Sequence, residues 1–185
     1  EQPRSGTAVL LSELPGKLRD MGYTRWDDAG DYLENSYIAY ELEPVKDPEA
    51  DWRLDVGAGS TRLPVLINDY MRSESGIMDD YHRDGIAAGF LDGFTGEGRA
   101  EEILTFRDAL RESVREHAGE DAVTFLGGAT GLYYGYLDLI AWDLPAVLDA
   151  AREFFAGTDM AWGGFHVFRR DVGAVRLWEQ EGEPQ

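Results

Sequence analysis

Asp79, Asp80, His82 and Asp84 form the only dense cluster of hard-metal ligand types in the sequence. On a helix, Asp79 and His82 would share one face, and Asp80 and Asp84 the neighbouring one. Arg83 lies inside the cluster, and no second carboxylate–histidine set completes a two-metal site. The reading is therefore a solvated acidic helix face with no metal, able to meet a basic surface. The second concentration is aromatic: Tyr134, Tyr136 and Trp142 sit in LYYGYLDLIAW, and these residue types anchor protein interfaces. Catalytic signatures are missing. There is no G-x-S-x-G elbow, neither lysine lies in a G-x-x-x-x-G-K context, and there is no cysteine for thiolate or zinc-thiolate chemistry. His117 ends a helix and His166 lies in a strand, so both read as structural, and no catalytic residue is assigned.

These groups must be positioned by the elements around them. Residues 99–118 carry a 3.6-residue stripe of Ile103, Phe106, Leu110, Val114 and His117. AVTFL (122–126), a glycine-rich turn (127–131) and LYYGYLDLIAW (132–142) read as a hairpin. Both faces of its second strand are largely apolar, as expected of a central strand covered on both sides, or of one covered by a partner. Asp143 then caps a helix that has Pro145 in its first turn and Gly157 at its end. GFHVF (164–168) and AVRLW (174–178) flank a second hairpin. The order from residue 99 is α-β-β-α-β-β. This predicts an α+β fold: a mostly antiparallel sheet with helices packed on one face. In the first half, Ser12 opens a short helix, and YIAYELE (37–43) and DWRLDV (51–56) read as strands. Ser60 caps a helix with Pro64 in its first turn, and a further helix is expected over 76–94. One domain over 7–179, between flexible tails 1–6 and 180–185, is the simplest organisation.

LDVGAGST (54–61) looks like the first motif of S-adenosylmethionine-dependent methyltransferases, in which a strand ends on an acid and a glycine-rich turn opens a helix. The resemblance implies a cofactor site at Asp55, Gly57 and Gly59. It covers about eight residues well; Thr61 stands where a third glycine is usual, and no second acid-ended strand follows some 20 residues on.

The net charge of −19, from 36 acids against 17 basic residues, disfavours nucleic acid and anionic membranes and favours a basic partner. All the basic residues except Lys17 and Lys46 are arginine, a usage that a saline environment or genome composition would also produce. Duplex DNA carries one charge per ~1.7 Å. A domain of this size, about 40 Å across, reaches that density only if its acids cluster on one face. No apolar run approaches the ~18 residues of a membrane span, and a cysteine-free chain defaults to the cytoplasm. The leading expectation is a non-catalytic, cofactor-free binding or inhibitory protein of the bacterial immunity (antitoxin) type, covering a basic protein partner through Asp79, Asp80, Asp84, Tyr134, Tyr136 and Trp142. The alternatives are a methyltransferase-like small-molecule transferase, and an accessory domain whose acidity is environmental and which molar salt would stabilise.

Overall fold

The strand LYYGYLDLIAW is the natural starting point, because a strand apolar on both faces has to lie inside a sheet. In the computed structural model, which describes residues 10, 12–20, 36–94 and 100–180, it forms β5 (Tyr134–Ala141), the middle strand of seven. The others are β1 (Ile38–Glu41), β2 (Val56–Thr61), β3 (Ala87–Phe94), β4 (Val123–Gly131), β6 (Trp162–Val167) and β7 (Val175–Glu179). Their spatial order is β1-β2-β4-β5-β3-β6-β7, and every neighbouring pair is antiparallel. The α+β class follows directly. Among the described residues no helix is long and apolar enough to cross a membrane.

The chain divides into two units, residues 1–36 and 37–185, where the sequence suggests one domain. The first holds α1 (Leu14–Asp20), with Lys17 and Arg19 in its last turn. Of the expected tails, 1–6 and 180–185, only Gln180 is among the described residues, and it donates its backbone N–H to the Ala161 carbonyl. Among its described residues the second unit holds the sheet, a 3₁₀ turn (Glu120–Ala122) and four α-helices: α2 (Pro64–Arg72), α3 (Gly76–Arg83), α4 (Ala100–Ala118) and α5 (Leu144–Ala156).

The helices cover both faces of the sheet, which corrects the one-face expectation. On one face, Leu110 and Val114 of α4 and Val147, Ala151 and Phe155 of α5 pack on Leu91, Leu137, Leu139 and Phe165. On the other, Leu66, Ile67 and Tyr70 of α2 and Met78 of α3 pack on Ala88, Phe90, Tyr136 and Ile140. Strand alternation separates these two sets along β3 and β5. The expected cap of α5 is present: the Asp143 carboxylate accepts the Ala146 N–H at 3.1 Å.

Glycine causes the other departures. The helix expected over 76–94 stops at Arg83, Gly85 takes φ +78°, and the chain re-enters the sheet as β3. The glycine-rich segment 127–131 extends β4 instead of turning. Residues 52–55 form turns where a strand was expected, and Ser60 belongs to β2 rather than to a helix cap. Gly135, Gly93 and Gly163 sit side by side across β5, β3 and β6. A Cβ on Gly135 or Gly93 would meet the Phe106 ring at 3.2 or 3.0 Å, and one on Gly163 would meet Phe155 at 2.4 Å. This bare row lets α4 and α5 lower two aromatic rings onto the sheet.

Candidate functional site

Three places in the 37–185 unit hold groups that could act: a polar cluster sealed under α2, a groove between α4 and α5, and an arginine-lined cavity beside β4.

The sealed cluster is built on strand alternation. Tyr136 and Asp138 of β5 point to the face that also carries Phe90 and Asp92 of β3. The turn before β2 pushes Arg53 into the same layer, at φ 65° and with 2% of its surface exposed. Its Nη1 donates to Asp138 Oδ1 at 2.6 Å, and Nη2 donates to Tyr40 Oη at 2.7 Å. The guanidinium lies 4.9 Å from the Phe90 ring centre and 5.1 Å from that of Tyr136. Burial alone would drag the Arg53 pKa down, but Asp138 and Tyr40 outweigh it and hold the charge on firmly. Beside it, Asp55 accepts the Tyr136 hydroxyl at 2.6 Å and the backbone N–H groups of Tyr133 and Tyr134 at 3.0 and 3.1 Å. Burial, with Asp55 alongside, lifts the Tyr136 phenol well above its usual range. Asp92 is fully buried with neither carboxylate oxygen hydrogen-bonded, and burial pushes its pKa up to about 8. His166 stacks on Phe90 at 5.3 Å, and burial lowers its pKa. These groups are oriented toward one another and form a buried scaffold.

This arrangement removes the geometry that the methyltransferase resemblance requires. The octet's GAGST is strand β2, paired antiparallel with β1 and β4, and opens no helix at a phosphate-cradling loop. Asp55 ties down the β4–β5 connection through its two tyrosine N–H bonds and is only 3% exposed. A Cβ on Gly59 would lie 2.4 Å from the Tyr40 ring and 2.9 Å from the Gly128 carbonyl, so this glycine admits a side chain where the motif needs it to admit a cofactor. Gly57 has open space around it and no such neighbour. Accordingly, Gly59→Ala is expected to lower stability by about 1–3 kcal/mol, as overpacking does. Urea unfolding measures that loss, and S-adenosylmethionine should leave the melting temperature of both proteins unchanged.

Of the expected partner-binding residues, the rings of Tyr134 and Tyr136 lie 6.3 Å apart, but the set forms no one exposed surface. Tyr136 is fully buried, so no partner can touch it; the aromatic count of β5 reflects packing on its own core. Tyr134 is half-buried, with its hydroxyl on the Pro48 carbonyl. Trp142 is 53% exposed but lies just past the far end of β5, with its indole N–H on Thr124. Asp79, Asp80 and Asp84 are exposed on and just after α3, as an acidic helix face would have them. Asp79 is paired with Arg169, and Asp80 with Arg83 at 2.8 Å, so their local field is partly cancelled. Among the described residues no group of three or more His, Asp or Glu is placed to hold a metal ion.

The groove between α4 and α5 was not read from the sequence. Phe106 and Ala109 of α4, Phe154 of α5 and Met160 form its apolar floor, about 720 Å³ in extent, and Glu101, Glu102 and Asp159 stand on its rim. Phe106 and Phe154 lie 5.9 Å apart. The available signal was Phe154 beside Phe155: one ring is buried, and the neighbouring position on the helix points elsewhere.

No protein-family model matches the chain, and no curated protein or solved structure matches it.

Proposed function

We propose that this chain is a non-catalytic binding protein of the immunity (antitoxin) type that covers a basic protein partner, using the α4/α5 groove as its anchor. The observation that carries this reading is an apolar floor of two phenylalanines and a methionine inside a rim of carboxylates. Such a floor takes an apolar anchor, and methionine adapts to its shape. The rim meets Lys or Arg flanking that anchor, and the net charge of −19 speeds encounter with a cationic surface. The acidic face of α3 adds to this steering field, while the buried Tyr136 takes no part.

The test is capture from the source cell's lysate at low and high salt, repeated with groove variants. A stoichiometric basic protein, retained at low salt and released at high salt, is expected. Phe154→Ala should weaken it by about 2 kcal/mol, or thirtyfold, as for an interface anchor. Glu101→Lys with Asp159→Lys should chiefly slow association and flatten its salt dependence. Asp79→Lys with Asp80→Lys should do the same to a smaller extent. Capture of no basic protein at either salt, or capture indifferent to the groove variants, would sink the reading.

A further inference from the structure

Arginines in this acidic chain are generally held by carboxylates: Arg53, Arg83, Arg115, Arg152, Arg169, Arg170 and Arg176 each contact an Asp or Glu within 4 Å. Arg19 and Arg72, which make no such contact, are exposed to solvent; Arg107 and Arg111 make none and are half-buried. They lie one turn apart on the side of α4 that faces β4, and among the described residues neither has an ion pair or hydrogen bond. The Nε of Arg111 is buried without a partner, and its guanidinium rests 5.4 Å from the Phe125 ring centre. Arg107 lies across Gly128, where a Cβ would come within 3.3 Å of its Nη1, so the missing side chain makes the guanidinium's bed. Both arginines line a cavity of about 170 Å³ together with Ser60, Tyr37, Phe125 and Asp108.

Like charges one helical turn apart repel each other. Half-burial adds a desolvation cost that pulls the Arg107 pKa down. With 36 acids in the chain, a carboxylate partner for either guanidinium was easy to place, yet the only acid lining the cavity is Asp108. Asp138 also acts on Arg107, but it is taken up by Arg53, so among the lining groups one carboxylate stands against two guanidiniums, and an anion between them removes the repulsion. Planar guanidiniums suit bidentate contacts to a tetrahedral oxyanion, and the Ser60 hydroxyl can add a further donor. At roughly 30 Å³ per water, the cavity has room for several waters, so a phosphate group with a short organic tail fits. We propose that Arg107 and Arg111 form a binding site for a small phosphate-bearing anion in the cavity between α4 and β4, separate from the partner groove on the other side of α4.

The test is titration of the full chain with inorganic phosphate and, separately, with glycerol phosphate, each against chloride at matched ionic strength so that general screening is held constant. Saturable binding with a shift of the Arg111 Nε–H resonance is expected. The tighter of the two ligands tells whether the site takes the free anion or its ester. Arg107→Gln with Arg111→Gln should weaken binding at least tenfold, about 1.4 kcal/mol. Arg152→Gln, on α5 and paired with Asp149, changes the charge of a distant residue and should leave binding intact. Arg107→Lys keeps the charge and loses the fork, so it should give an intermediate affinity. No saturable binding of either phosphate, or equal binding by the Gln double variant, overturns the proposal.

Discussion

Arg53→Met should cost the 37–185 unit about 3–5 kcal/mol, the usual penalty for breaking a buried ion pair by removing one partner. The loss comes less from the missing attraction than from what it leaves behind. Asp138 is fully buried, and in the variant its two arginine donors, Nη1 and Nη2 of Arg53, are gone. Tyr40 Oη loses a donor at the same stroke, and the rings of Phe90, Tyr136 and Phe168 lose the cation that sits over them. Against a typical stability of about 5–15 kcal/mol, this brings the fold to the edge of unfolding. Urea titration of wild type, Arg53→Met, Asp138→Leu and the double variant reads the coupling directly. The double variant should recover most of the loss, because an apolar pair of similar volume leaves no buried charge. If the single and double variants are equally unstable, the damage is to packing and the ion pair is not the cause.

What sequence reading reached here follows the strength of local signals. α4 and α5 were legible because each carries a 3.6-residue apolar stripe, and α5 has an Asp cap, an early proline and a terminal glycine. The strand GFHVF and its partner were legible from short apolar runs around a polar turn. Glycine misled in one consistent way. Gly59, Gly93, Gly128 and Gly135 sit inside strands where a side chain or helix presses close, yet in sequence each is indistinguishable from a turn glycine or a helix weakness. The motif-like octet, the long helix over 76–94 and the turn over 127–131 all fail for that reason. The second face of the sheet was invisible because α2 and α3 are short, and their apolar residues match β3 only once β3 is known to be a strand. The buried polar cluster has no local mark at all. Asp55, Asp92 and Asp138 come from three separate segments and look like any of the 36 acids; only pairing Asp92 with Tyr136 across β3 and β5 places them in one layer. Arg107 and Arg111 were likewise unreadable, since what distinguishes them is half-burial with no carboxylate in contact.

Asp92→Asn should stabilise the protein increasingly from weakly acidic to alkaline pH and leave it little changed at about pH 4 and below. The wild-type carboxyl is fully buried between Tyr136 of β5 and Gly164 of β6, with its pKa pushed up to about 8, chiefly by burial. The Arg53 guanidinium pulls the value back down and the Asp55 carboxylate raises it further, but neither reverses the effect of burial. An unfolded Asp titrates near ~3.9. Between these two values the folded chain holds a proton that the unfolded chain has released, so folding stability declines as pH rises through the window. The contribution of the neutral acid is complete below about 4 and gone above about 8, with a limiting slope near 1.36 kcal/mol per pH unit. Asparagine has the same shape and no charge to bury, so its profile lacks this slope. The measurement is urea unfolding of both proteins at fixed ionic strength across that range. The gap between them should open from about pH 4 and stop widening above about 8. Parallel profiles would mean that Asp92 is ionised in the fold and solvated by a group not seen to touch it. The opposite result gives the molecule's charge a definite arrangement. The ion held firmly inside is Arg53, bound by Asp138, while Asp92 is kept neutral beside it. The excess of carboxylate then belongs to the surface, at places such as the groove rim and the α3 face.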